Sequence, residues 1–274
     1  LYPLGEMPVS LGMEAAGVIE ELGDGVTDFA VGDRVAYAMA LGAYTTERVM
    51  ATTRLVKVPD GIDDETAAAM MLQGMTARYL IKRSYPVKAG DTILVYAAAG
   101  GVGLILCQWA KHLGATVIGC VGSEEKAELA KANGCDHPIL YRDEDVAKRV
   151  REITDGKGVP VAYDSIGKAT FDASIDSLAP FGTLVSFGNA SGPVEPFNPG
   201  MLAAKGSLYF TRATLATHTA TRELLDECAN DLFDIVSKGH VKIAINQTYP
   251  LSETKQAHID LEARKTTGST VLMP

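Results

Sequence analysis

From Thr92 onward, short apolar runs alternate with segments whose apolar positions recur at helical spacing. The runs Thr92 to Ala97, Thr116 to Val121, Pro138 to Tyr141, Val159 to Asp164, Thr183 to Phe187 and Ser207 to Thr211 are rich in β-branched and aromatic residues, which predicts strands. Between most of them, Val102 to Leu113, Glu124 to Asn133, Glu144 to Thr154 and Phe171 to Leu178 read as helices. Near-continuous apolar strands joined by helices predict a parallel sheet covered on both faces, a doubly wound α/β domain.

Residues 1 to 90 carry a different pattern. Gly17 to Leu22, Arg34 to Tyr37, Ala43 to Val49 and Leu55 to Val58 read as short strands separated by Gly-Asp, Gly-Val and Pro-Asp-Gly turns. This predicts an antiparallel β-rich unit, followed by a helix starting at Asp63 with acidic residues where its dipole favours them. After Thr211 come a helix from Thr221 to Ser237, a strand from Lys242 to Tyr249, a helix from Glu253 to Arg264 and a closing strand from Thr270 to Met273.

The first apolar run of the α/β region leads directly into Tyr96-Ala-Ala-Ala-Gly-Gly-Val-Gly103, and a helix follows. A strand, a glycine turn and a helix bring backbone N–H groups at a helix N-terminus toward a pyrophosphate, where the peptide dipoles favour negative charge. Ala98 stands where the dinucleotide fingerprint usually has its first glycine, Gly100 where backbone comes nearest phosphate, and Gly103 where helix packs on strand. The next strand sharpens the choice of dinucleotide. An acid at its end selects NAD through the ribose 2′-hydroxyl, but here it ends in Gly122-Ser123. Ser123 can donate to a 2′-phosphate and Lys126 can add charge, which favours NADPH; alternatively, the Ser-Glu-Glu-Lys group is a solvated helix start.

Composition narrows the setting. The chain has 274 residues, 47% of them hydrophobic, enough for two cores. A net charge of −9 disfavours nucleic acid and anionic membrane as partners. There is neither an apolar run of bilayer length nor the flank and core of a signal peptide, so the cytoplasm is the expected location. The four cysteines form no C-x-x-C pair and read as reduced, packed thiols.

Several motifs in order, Gly12-Met-Glu-Ala-Ala-Gly17, Val31-Gly-Asp-Arg-Val35, the Tyr96 to Gly103 turn, Cys107-Gln-Trp-Ala-Lys111, Tyr163-Asp-Ser-Ile-Gly167 and Ser186-Phe-Gly-Asn-Ala-Ser-Gly192, carry a resemblance over the whole chain. The sequence resembles the NADPH:quinone oxidoreductases, the zinc-free, zeta-crystallin-like branch of the medium-chain dehydrogenase/reductase superfamily. The resemblance implies a Rossmann NADPH-binding domain at residues 76–214 and a GroES-like catalytic domain assembled from residues 1–75 and 215–274. Family members begin with several dozen further residues, so the chain reads as N-terminally truncated. Where zinc-dependent relatives have Gly-His-Glu, this chain has Gly12-Met13-Glu14, and a thioether is a poor zinc ligand beside imidazole. No metal is expected.

By the same resemblance, Gly100, Gly101, Val102 and Gly103 supply backbone at the pyrophosphate. Ser123, Lys126 and Tyr141 surround the 2′-phosphate and adenine end, and Phe187, Asn189 and Ser191 follow the strand that ends beside the nicotinamide. Arg264 and Gly268 resemble a pair that closes over the cofactor, and Tyr2 matches a tyrosine near the nicotinamide. Thr76 is a candidate contact to the nicotinamide amide, or a helix threonine bonded to its own backbone. Tyr141 and Phe187 also fit as core aromatics, Lys126 as a solvated residue and Arg264 as a helix cation. No residue stands out as a general acid or base, and the five histidines fall on surface-like segments.

These features imply hydride, or one-electron, transfer from the nicotinamide to a small-molecule quinone, with protonation from Tyr2 or solvent. Two alternatives remain: reduction of enones or aldehydes by the same fold, and a non-enzymatic NADPH-binding role of the crystallin or RNA-binding kind. A homodimer is expected through the Rossmann edge strand at Ser207 to Thr211.

Overall fold

The computed structural model describes residues 7–263 and 265–274. Tyr2 and Arg264, both expected at the site, lie outside the described residues. Strands β1 (Glu14–Val18), β2 (Arg34–Ala38) and β3 (Val56–Lys57) form an antiparallel sheet in that order. Helix α1 (Asp64–Tyr79) follows. The α/β region then runs β4 (Thr92–Tyr96), α2 (Gly101–His112), β5 (Thr116–Val121), α3 (Glu124–Ala132), β6 (His137–Leu140), α4 (Val146–Ile153), β7 (Val159–Asp164), α5 (Phe171–Asp176), β8 (Leu178–Ser186), α6 (Gly200–Ala204) and β9 (Tyr209–Arg212). The chain closes with α7 (Leu215–His218), α8 (Arg222–Ser237), β10 (Ile245–Pro250), α9 (Thr254–Glu262) and β11 (Ser269–Met273).

Two compact units result. One comprises residues 77–214; the other joins the residues up to Thr76 to Leu215–Pro274. In the first unit, six strands pair in parallel in the order β6-β5-β4-β7-β8-β9. The order reverses at β4, which has β5 on one side and β7 on the other, and such a switch point opens a ligand crevice at the carboxyl ends of the strands. Leu94, Ile118, Ile139, Ala162 and Leu184 from five adjacent strands pack with Val146, Val150, Phe171 and Ile175 from α4 and α5. Burying each of the larger side chains contributes about 1.5–3 kcal/mol. Trp109 and Leu106 of α2 are also buried. Helix starts follow side-chain caps: Ser123 accepts from Lys126 N, and Asp145 accepts from Lys148 N at 3.0 Å.

The second unit has its own core around Phe29, Val35, Tyr37 and Leu55. Specific bonds tie its C-terminal part to its N-terminal part. The Ser269 hydroxyl donates to Ala69 O at 3.1 Å, Arg222 donates to Leu55 O at 2.6 Å, and the Cys228 thiol lies 3.6 Å from Met75 O. Gly74 lets α8 approach α1, since a Cβ there would lie 2.5 Å from Leu232 Cδ1. All four cysteines are free and buried.

Two expectations fail in this unit. The strand expected at Gly17 to Leu22 forms earlier, at Glu14–Val18, where β2 offers a continuous antiparallel partner. Ala43 to Val49 forms no strand at all. Side chains there capture backbone acceptors: Thr45 Oγ1 donates to Glu47 O at 2.6 Å, and Arg48 donates to Leu41 O at 2.9 Å and to the Tyr37 hydroxyl at 2.8 Å. These local bonds replace a ladder.

Candidate active site

The turn after β4 is built by close approach. Ala97 takes a left-handed φ of 51°, and Gly100 N donates to its carbonyl at 2.8 Å, closing the turn. Gly100 is the N-cap of α2, with extended backbone and no side-chain cap. A Cβ on Gly103 would lie 2.2 Å from Ala97 O and 2.8 Å from Ala98 Cα, so only glycine lets the first turn of α2 sit this near the strand. The N–H groups of Gly101, Val102 and Gly103 precede the first intrahelical donor, Leu104 N, which bonds Gly100 O at 2.9 Å. Unbonded N–H groups at a helix start are the kind of donors that suit an anion.

At the end of β5, Ser123 is exposed, Lys126 is half-buried, and no carboxylate precedes them on the strand. The Ser123 oxygen accepts from Lys126 N at 3.4 Å, leaving its O–H to donate elsewhere. Tyr141, just past β6, is exposed rather than core, and a Cβ on Gly122 would lie 3.1 Å from its hydroxyl. Thus Gly122, Ser123, Lys126 and Tyr141 share one edge of the parallel sheet.

The loop after β8 is held by Ser191, whose hydroxyl donates to Ile166 O at 2.8 Å and accepts from Ala169 N at 3.0 Å. That side chain serves the loop's own shape. Phe187 N donates to Asp164 O at 2.9 Å, and Phe187 and Asn189 are half-buried. In the second unit, the Thr76 hydroxyl donates to Leu72 O at 2.7 Å, which is the bond to its own helix. Gly268 takes a φ of 60°, and a Cβ there would lie 2.4 Å from Ala244 O.

One titratable group was not singled out from the sequence. Glu14 Oε2 accepts from Leu72 N at 2.7 Å, joining β1 to α1. Burial of its carboxyl, partly offset by that bond, pushes its pKa up from 4.5 to about 7, although the residue as a whole keeps some accessible surface. The Tyr44 phenol feels the Glu14 charge and is raised, by burial first and then by this carboxylate. Tyr44 Oη lies 3.1 Å from His258 Nε2, with the two rings edge to face. The Glu14 carboxyl can therefore hold or release a proton near neutral pH. An acid inside the apolar segment Met13-Glu-Ala-Ala-Gly-Val-Ile19 was the available signal.

The sequence matches the family described as alcohol dehydrogenase GroES-like domain over residues 1–84, and that described as zinc-binding dehydrogenase over residues 101–230. A quinone oxidoreductase of Pseudomonas aeruginosa is 54% identical over 275 residues, spanning 100% of this chain and 85% of that protein. The chain belongs to the quinone oxidoreductase family. A crystal structure of the Escherichia coli quinone oxidoreductase complexed with NADPH matches it with a TM-score of 0.96 at 46% identity, covering 100% of this chain and 85% of that one. Another relative, a 2-haloacrylate reductase of a Burkholderia species, is 48% identical over 279 residues, covering 100% of this chain and 84% of that protein. As in other quinone oxidoreductases, the parallel sheet here belongs to the fold of the medium-chain dehydrogenase/reductase superfamily. Among the described residues, no helix is long and apolar enough to cross a membrane.

Proposed function

We propose that this quinone oxidoreductase family member binds NADPH and reduces quinones without a metal ion. The reading rests on two features of one sheet: the glycine turn at α2, which only glycine can close, and the acid-free end of β5 with Ser123, Lys126 and Tyr141 around it. The first offers N–H donors to a pyrophosphate; the second offers a hydroxyl and an ammonium to a 2′-phosphate. The donor chemistry fits NADPH better than NADH.

In this account Gly100 to Gly103 bind the pyrophosphate, Ser123 and Lys126 the 2′-phosphate, and Tyr141 the adenine end. Phe187, Asn189 and Ser191 shape the nicotinamide end. Thr76 and Gly268, with Tyr2 and Arg264 outside the described residues, are carried as cofactor contacts on family resemblance. When bound, the dihydronicotinamide supplies a hydride. The chain's own work is to bind, orient and exclude water, and to give the product a proton through Tyr2 or solvent. Met13 supports the metal-free reading, since it stands where zinc-dependent relatives place a histidine. The domain boundaries follow the same proposal: a GroES-like catalytic domain from residues 1–75 and 215–274, and a Rossmann domain at 76–214.

The 48% identity to a 2-haloacrylate reductase favours a second reading, reduction of an electron-poor alkene conjugated to a carbonyl. Comparing kcat/KM for 1,4-benzoquinone and for a 2-haloacrylate, each with NADPH, separates the two. A clear preference for the quinone is expected; preference for the acrylate overturns the first reading, and turnover of neither overturns both.

We also propose a cytoplasmic homodimer. Strand β9 ends the sheet with Tyr209 61% exposed, an edge that pairing with a second copy would cover. A monomeric mass by light scattering would contradict it.

A further inference from the structure

The loops that leave the carboxyl ends of β7 and β8 are bonded to each other along their length. Asp164 of β7 stands in register with Ser186 of β8, and the pairing continues beyond the strands. Phe187 N donates to Asp164 O at 2.9 Å, Ala190 N to Ser165 O at 3.2 Å, Ser191 N to Ile166 O at 2.8 Å and Lys168 N to Gly192 O at 3.1 Å. The Ser191 hydroxyl adds its bonds to Ile166 O and Ala169 N. Two glycines permit the approach: a Cβ on Gly188 would lie 2.3 Å from Ser165 O, and one on Gly167, whose φ is 90°, would lie 2.5 Å from Gly192 O. The first loop is therefore a template for the second, which carries Phe187 and Asn189.

The template takes its shape from one buried carboxylate. Asp164 is only 2% exposed. Its Oδ1 accepts from Ile166 N at 2.7 Å and Gly167 N at 3.0 Å, and its Oδ2 accepts from Thr170 Oγ1 and Ser174 Oγ, both at 2.7 Å. A carboxylate at this depth needs converging donors, and these four come from the loop itself and from the adjoining helix α5. The two backbone donors set the turn directly after β7, and the two hydroxyls pin the start of α5 to it. One side chain thus fixes where the chain goes when it leaves the sheet.

We propose that Asp164 is a positioning residue for the nicotinamide end of the cofactor site, acting through the paired loops on Phe187 and Asn189. The inference rests on the reading that those two residues shape the nicotinamide end. Asp164 itself is too deeply buried to touch a ligand. Its effect is to hold the second loop in one geometry before the cofactor arrives, which lowers the ordering cost of binding. Removing the carboxylate leaves the Ile166 and Gly167 N–H groups and two hydroxyls without their acceptor, and frees the first loop to turn toward water. The adenine end, assigned to Ser123, Lys126 and Tyr141, shares none of these bonds. The loss therefore falls on one half of the cofactor.

The test is calorimetric titration with NADPH and with 2′,5′-ADP, which carries the adenine and the 2′-phosphate but no nicotinamide. Asp164→Ala should weaken NADPH binding by about tenfold or more while 2′,5′-ADP stays within about twofold of wild type. Asp164→Asn should recover most of the loss, because its oxygen still serves Ile166 N and Gly167 N and its amide can donate to the Thr170 and Ser174 hydroxyls. Gly188→Ala keeps Asp164 and its donors but wedges the loops apart, and should weaken NADPH alone by about threefold or more. Unchanged NADPH affinity in Gly188→Ala overturns the proposal even if Asp164→Ala does not fold. Equal weakening of both ligands by Asp164→Ala, or weakening of neither, also overturns it. A wild-type protein that binds no NADPH, or binds 2′,5′-ADP no better than 5′-AMP, removes the cofactor reading and this proposal with it.

Discussion

Replacing Glu14 by glutamine should make the protein's stability less dependent on pH, in a window set by the carboxyl's own displacement. The Glu14 pKa is pushed from 4.5 to about 7, so the folded protein holds this proton far more tightly than the unfolded chain does. For an acid raised on folding, the favourable contribution is complete below about pH 4.5 and is lost progressively as pH rises to about 7. A displacement of this size corresponds to about 3 kcal/mol, an upper figure because the residue keeps some accessible surface. Glutamine keeps an oxygen for Leu72 N but carries no ionisable proton, so the variant lacks this loss. Urea unfolding of both proteins should give similar stabilities near pH 4.5. By about pH 8 the variant should exceed the wild type by about 2–3 kcal/mol. Stability curves that run parallel across the whole range would refute the assignment of a near-neutral pKa to Glu14.

Three further outcomes are expected. Lys126→Ala should raise KM for NADPH about tenfold while leaving that for NADH nearly unchanged, since it removes a charge used only by the 2′-phosphate; steady-state kinetics with each cofactor checks this, and equal effects would count against the role. Gly103→Ala should destabilise the Rossmann unit by about 1–3 kcal/mol and weaken NADPH binding, because the added Cβ would meet Ala97 O at 2.2 Å; calorimetry and fluorescence titration report the two effects separately. Prolonged chelation should leave quinone reduction unchanged, and elemental analysis should find no stoichiometric zinc, as expected with Met13 in place of a histidine.

What could be read from the sequence was what neighbouring residues determine together. The glycine turn was legible because β4, Gly100, Gly103 and α2 are contiguous, and the parallel sheet because its strands are near-continuously apolar and alternate with helices. The register that brings Asp164, Ser186 and Arg212 into one row depends on pairing between separate strands. No local pattern encodes it. Glu14 was seen only as part of a triplet, because the groups that bury it and bond it are brought together by folding: Leu72 is 58 residues away. Ala43 to Val49 has the composition of a strand, but Thr45 and Arg48 side chains take backbone acceptors that no alternation rule anticipates. Ser191 and Thr76 hydroxyls are used for loop and helix bonds, which narrows what they offer to a cofactor.

The central claim is that the glycine turn and the acid-free end of β5 together serve NADPH-dependent quinone reduction. Its most direct measurement is kcat/KM for 1,4-benzoquinone with NADPH and with NADH under identical conditions. The account predicts turnover with NADPH favoured by at least about tenfold. Equal efficiency with both cofactors, preference for NADH, or no turnover with either would contradict it.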